Sequence, residues 1–185
     1  MASVIGIVGD VGCGKTALLS IYLYDAFLKG IPIIANYRLD FHYLQLGFDQ
    51  LADAKPDVLF MAYIGTDELH QGADSYDFLS TRNRKLSRIL TERRKAVATW
   101  IFTVQRLGLI TKRIRDQVER YILPIDDDYD DVNHSIVDKD GHPTLCAGLF
   151  SATVYDANLQ VIRSFRYNNH IIKHLYNSRE IIRAD

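Results

Sequence analysis

The chain has 185 residues, 48% of them hydrophobic and 24% charged, enough for one domain to bury a core without metal or disulfide staples. A formal net charge of -1 excludes a global electrostatic drive toward nucleic acid, so any polyanion site must be a local patch. Two widely separated cysteines exclude a cysteine-based zinc site and speak against a disulfide framework; with no bilayer-length apolar run and no signal-peptide pattern at the start, the cytoplasm is the expected compartment.

The first element is the apolar run Val4-Ile5-Gly6-Ile7-Val8, read as a buried strand. It runs into Gly9-Asp10-Val11-Gly12-Cys13-Gly14-Lys15-Thr16 and then Ala17-Leu18-Leu19. This fits the P-loop pattern G-x-x-x-x-G-K-[ST] in the strand-then-helix setting that the pattern requires. The glycines let the backbone wrap a phosphate chain with its N–H groups turned inward, and a helix starting near Gly14 adds the positive end of its dipole. Gly9 to Ala17 are therefore expected to bind the phosphates of ATP, with Lys15 reaching the β- and γ-phosphates and Thr16 offering its hydroxyl to Mg²⁺. Cys13, among backbone N–H groups beside Lys15, sits in surroundings expected to lower a thiol pKa. Its simplest role is that of a small spacer that bound nucleotide shields from alkylation.

A helix is predicted from Ala17 to Lys29, ending at Gly30. A short strand is predicted over 31–37, opened by Pro32, and a short helix within 43–53. Residues 57–65, Asp-Val-Leu-Phe-Met-Ala-Tyr-Ile-Gly, form a near-continuous apolar run and read as a strand buried on both faces. Thr66-Asp67-Glu68-Leu69-His70 follows. An apolar strand that delivers an acidic pair at its C-terminal end is the Walker B arrangement, with Asp67 in the Mg²⁺ shell and Glu68 orienting and deprotonating the attacking water. The bland alternative is that the pair opens a turn or caps a helix. Gly65 and Thr66 make the strand end less aliphatic than is usual for this element.

A helix is predicted over 76–95, with Leu79, Leu86, Ile89 and Leu90 on one face. Its other face is basic: Arg82, Arg84, Lys85, Arg88, Arg93, Arg94 and Lys95, opposed by Glu92. Such a face is a solvated surface, a contact for a nucleic-acid backbone, or a source of an arginine for a neighbouring subunit's nucleotide. A third buried strand is predicted over 96–105, and Gln105 at its carboxyl end is where a γ-phosphate sensor belongs, because ligands of open α/β sheets bind beyond that edge. Lys112, Arg113 and Arg115 lie on a short helix or turn, and residues 121–125 read as a strand. The composition from 126 to 143 turns acidic and turn-forming, and is expected to be a flexible exposed loop rather than a calcium loop. Runs over 145–155 and 161–167, joined by Asp156-Ala157-Asn158-Leu159-Gln160, give a hairpin signal. A helix over 168–176 precedes a polar-apolar tail. The expected fold is α/β: a single P-loop domain over 1–185, a three-layer sandwich with a mostly parallel central sheet, closed by a C-terminal β-hairpin plus helix.

Gly9 to Thr16, Asp67-Glu68-Leu69-His70, the Arg93-Arg94-Lys95 to Gln105 stretch, Ile114-Arg115-Asp116 and Tyr176-Asn177-Ser178-Arg179-Glu180, as an ordered set, resemble the viral and plasmid ATPases of the FtsK/HerA superfamily. That group includes virus genome-packaging ATPases and the zonula-occludens-toxin-like assembly ATPases of filamentous phages. The chain departs from the toxin-like proteins in lacking a transmembrane segment, and is smaller than cellular FtsK and HerA. The resemblance implies an ATP-hydrolysing motor that translocates double-stranded DNA, most naturally packaging a viral genome. It also implies a ring, commonly a hexamer, with ATP and Mg²⁺ at each subunit interface, working at a capsid or portal in the host cytoplasm. Such a ring needs a positive residue supplied in trans, for which Arg94 and Arg115 are the candidates. A small-molecule or nucleoside kinase and a nucleotide-binding ring or scaffold without turnover are the competing readings.

Overall fold

The computed structural model describes residues 3–72, 86, 96, 98–126, 129–130, 135–136, 149–168 and 175. Its frame is an eight-stranded sheet built of Val4–Val8 (β1), Ile33–Ala35 (β2), Leu44–Gln45 (β3), Tyr63–Thr66 (β4), Thr99–Val104 (β5), Arg120–Asp126 (β6), Leu149–Asp156 (β9) and Val161–Asn168 (β10). The spatial order is β10-β9-β6-β1-β5-β4-β2-β3. From β6 to β3 every pairing is parallel, whereas β9 and β10 run antiparallel. This is the expected mostly parallel α/β sheet with a C-terminal hairpin.

Lys15–Leu28 (α1) covers one face of the sheet. Leu18, Leu19 and Leu23 are buried there with Ile5, Ile7, Ile101, Ile122 and Val154. The helix ends where the Lys29 and Gly30 N–H groups bond the Ala26 and Phe27 carbonyls, as the glycine after the apolar stripe foretells. The opposite face buries Val4, Ile34, Trp100, Phe102 and Val104 beneath Phe48–Asp53 (α2), Lys112–Arg115 (α3) and helical residues Leu86 and Ala96. Alternation along β5 explains the two layers: Trp100 and Phe102 point one way and Ile101 the other, all at most 1% exposed.

Several elements differ from the sequence reading. The run 57–65 is not one strand. Val58, Leu59 and Ala62 bond back to the carbonyls of Lys55, Pro56 and Leu59, so helical turns occupy its first part and β4 begins only at Tyr63. Within the turns Leu59 and Ala62, three residues apart, are buried, while Val58, Phe60 and Met61 are exposed. Pro56 starts the turns, and Met61 at φ 54° ends them. Similarly, Ala96 is helical and the following strand starts at Thr99. Ahead of α2 lies the short strand β3, which the sequence reading did not anticipate. In the acidic stretch, β6 reaches Asp126, and Tyr129–Asp130 (β7) pairs antiparallel with Ser135–Ile136 (β8), so 126–143 is not wholly a loop. Strand β10 extends to Asn168, where a helix was expected to start. The predicted basic helix, Arg94 included, and the C-terminal tail lie outside the described residues, apart from the buried Leu86 and Leu175.

Candidate active site

The P-loop leaves β1 at the carboxyl edge of the sheet. The Gly9 N–H bonds the Val104 carbonyl at 3.3 Å, tying the loop's first residue to the end of β5 and setting Gln105, the next residue along, beside it. Gly14 has φ 84° and serves as the N-cap of α1. A side chain at this position would be strained, and its Cβ would lie 2.8 Å from Tyr167 Oη and 2.9 Å from Phe150. The Gly14 carbonyl accepts from Leu18 N at 3.0 Å, starting the helix, whose positive dipole end therefore lies at the loop. Lys15 is only 6% exposed, and its Nζ donates to the Asp10 carbonyl at 2.7 Å, which holds the ammonium across the loop.

Across β5 from the P-loop, β4 ends at Thr66 and presents Asp67. Thr16 Oγ1 lies 3.0 Å from each Asp67 carboxylate oxygen and donates to them, joining groups 51 residues apart in sequence. Thr103, near the end of β5, donates its hydroxyl to Asp67 Oδ1 and accepts the Glu68 N–H at 2.8 Å. Asn36, just past β2, grips the peptide of Asp67 from the other side. Its Oδ1 accepts the Asp67 N–H at 2.7 Å, and its Nδ2 donates to the Asp67 carbonyl at 2.9 Å. Asn36 and Thr103 were missed in the sequence because neither belongs to a motif. The one signal for Asn36 is its place at the carboxyl end of a predicted strand, where ligand-facing residues gather.

Burial raises the Asp67 pKa above the usual carboxylate range, outweighing the hydroxyl bonds from Thr103 and Thr16 and the positive charge of Lys15, which act in the opposite sense. Glu68 takes a left-handed backbone, φ 51°. Its Oε2 lies 3.2 Å from His70 Nδ1, with both atoms shielded from solvent. Cys13 does not fit the expectation of a lowered thiol pKa. Burial raises it, and Lys15, acting downward, does not compensate.

The structure therefore brings Lys15, Thr16, Asp67 and Gln105 to one edge of the sheet, with Glu68 adjoining Asp67. Arg115, on α3, is half-buried and directs its guanidinium to the Leu107 carbonyl at 3.4 Å. Among the described residues no cluster of three or more His, Cys, Asp or Glu side chains could hold a metal by itself. One hydroxyl and one carboxylate, both hard oxygen donors in contact, do suit Mg²⁺, which keeps several waters and takes its remaining ligands from substrate phosphates.

No protein-family model matches the chain, and no curated protein matches it at a significant level. Solved structures do match. The N-terminal domain of zonular occludens toxin from Neisseria meningitidis superposes with TM-score 0.63 at 16% identity, covering 96% of this chain and 100% of that one. The genome packaging NTPase B204 from Sulfolobus turreted icosahedral virus 2, in complex with ATP-gammaS, gives 0.60 at 13% identity over 90% and 97%. The DNA-packaging ATPase B204 from Sulfolobus turreted icosahedral virus gives 0.59 at 13% over 90% and 97%. At these identities what is shared is the fold: the α/β sheet of the P-loop NTPases, in the two groups of proteins that the motif set resembles.

Proposed function

We infer that the chain is an ATPase, converting ATP and water to ADP and phosphate, that drives double-stranded DNA and most naturally packages a viral genome. One contact carries the hydrolytic part of this reading: Thr16 and Asp67, from separate motifs, share a hydrogen bond at 3.0 Å, so both sets of groups serve one phosphate chain. In this reading the loop from Gly9 to Ala17, through those N–H groups not already bonded within the fold, and the Lys15 ammonium bind the triphosphate, and Thr16 and Asp67 would hold Mg²⁺. A metal held there would supply positive charge to neutralise the phosphates. Glu68 orients water in line with the terminal phosphorus and takes its proton. Gln105 reports on the γ-phosphate from the end of β5.

The motor part draws on the resemblance and on two structural neighbours, the B204 proteins, one a genome packaging NTPase and the other a DNA-packaging ATPase. A ring-shaped homo-oligomer, a hexamer by analogy with the family, would place ATP between subunits, with Arg94 or Arg115 of one subunit completing the site of the next. An arginine so placed is worth about 10³ to 10⁵ in turnover. The capsid or portal vertex is the proposed partner and the host cytoplasm the proposed place. Among the described residues no helix is long and apolar enough to cross a membrane.

The test is the ATPase rate against added duplex DNA, with solution mass measured with and without ATP. Hydrolysis should rise with DNA, fall away in Lys15→Ala and Glu68→Gln, and leave Glu68→Gln still binding ATP. The stimulation should weaken steeply with salt and show little sequence preference, as phosphate contacts do. ADP formation indifferent to DNA at every salt concentration rejects the motor, and phosphate transfer to a nucleoside or sugar in place of water identifies a kinase.

A further inference from the structure

The sheet order sets a direction for any nucleotide in this loop. Asp67 and Glu68 follow β4, which lies beyond β5 on one side of β1, while β6, β9 and β10 lie on the other. A triphosphate lying along the loop with its terminal phosphate toward Glu68 would run its nucleoside end toward β6, β9 and β10. On that side the open end of the hairpin meets the P-loop. Phe150 near the start of β9 pairs with Tyr167 near the end of β10, and their rings stack with centroids 5.4 Å apart and planes 17° from parallel. Tyr167 Oη donates to the Gly14 carbonyl at 3.2 Å, so the ring stands against the turn that holds the phosphates. Phe150 is 5% exposed and backs the pair from inside the core, whereas Tyr167 is half-buried.

We propose that Tyr167, supported from behind by Phe150, is the base subsite of the nucleotide site and takes a purine base by stacking on its ring. The proposal rests on the nucleotide-binding reading given above and adds the chemical class of the group bound at its far end. An aromatic face suits the role because every nucleobase presents a π-face, and the Phe150 stack and the Gly14 hydrogen bond hold the ring with little freedom left to lose on binding. Phe150 is a positioning residue. It acts on the base only through Tyr167.

The test separates the base from the phosphates. Calorimetric titrations of the full chain with ATP and with inorganic tripolyphosphate, both with Mg²⁺, are run on the unaltered protein, Tyr167→Phe and Tyr167→Ala. Tyr167→Ala should weaken ATP roughly 5- to 150-fold, the span of base-stacking losses on alanine substitution, and leave tripolyphosphate unchanged. Tyr167→Phe keeps the ring and should restore ATP binding. Equal losses for ATP and tripolyphosphate would mean that Tyr167 only braces the P-loop, and an unchanged ATP affinity would mean that it does not meet the base. Either result overturns the proposal. Should Tyr167→Ala fail to fold, the unaltered protein answers alone: saturable binding of 2-aminopurine riboside triphosphate with quenched fluorescence supports stacking, and binding without quenching overturns it. Failure of the unaltered protein to bind any of these ligands sinks the nucleotide-binding reading itself, a pattern distinct from the other outcomes.

Discussion

Asn36→Ala tests whether the Asp67 peptide is held by a side chain rather than by the sheet. The last backbone bond between β2 and β4 runs from the Asn36 N–H to the Gly65 carbonyl at 3.3 Å, and beyond it the Asn36 side-chain amide takes over, at 2.7 and 2.9 Å to the Asp67 N–H and carbonyl. Asn36 and Asp67 are 8% and 7% exposed, so truncation leaves one buried donor and one buried acceptor without those partners. Each such group costs about 1–3 kcal/mol, so the loss should be roughly 2–6 kcal/mol, well above the ±0.5 or so of an ordinary surface change. Urea unfolding followed by the fluorescence of the single tryptophan, the buried Trp100, reads the change as a shifted midpoint at constant slope. A loss under about 0.5 kcal/mol would show that water or backbone relaxation replaces the amide, and would refute the clamp.

Gly65→Ala would place a Cβ 2.4 Å from Leu23 Cδ1, so the buried Leu23 side chain must repack, and the change should destabilise the chain by about 1–3 kcal/mol in the same unfolding assay. Asp67 has its pKa raised by burial, so the folded chain binds more protons than the unfolded one; without metal, stability should fall as pH rises from the unfolded value near 3.9 through the raised folded value. Asp67→Asn should flatten that slope and stabilise the metal-free protein at pH 7, as thermal melts across pH would show; an unchanged slope argues against a buried carboxylate. Cys13 should alkylate slowly at neutral pH and faster in alkali because its thiol pKa is raised, and ATP with Mg²⁺ should protect it. Equal labelling rates with and without nucleotide would remove Cys13 from the loop's binding surface.

What the sequence disclosed best was the structure that recurs every few residues. The β1 run, the glycine spacing and the α1 stripe each carry their own period or motif, and the structure bears them out. The run 57–65 misled because apolar continuity does not separate a strand from a buried turn; burial of Leu59 and Ala62 with exposure of Phe60 and Met61 has a helical spacing that composition hides. Strand β3 is two residues long, too short to alternate visibly. Gly65 and Thr66, odd for an aliphatic strand end, have specific tasks: the glycine admits Leu23 of α1, and the threonine hydroxyl accepts Trp100 Nε1 at 2.8 Å across the neighbouring strand. Asn36 and Thr103 act only through residues that the fold brings to them, so apart from the place of Asn36 at the end of a predicted strand no local pattern marks them.

The left-handed backbone at Glu68 sets durability against chemistry at a single residue. A non-glycine residue held at φ 51° stores about 1–2 kcal/mol, and the Thr103 hydroxyl on its N–H together with the 3₁₀ turn Leu69–Gln71 behind it keeps the chain there. Glycine at this site would release that tension and yield a hardier protein stripped of its acid. Selection for heat resistance alone should therefore drift toward glycine at position 68, and selection for turnover should hold the strained glutamate in place.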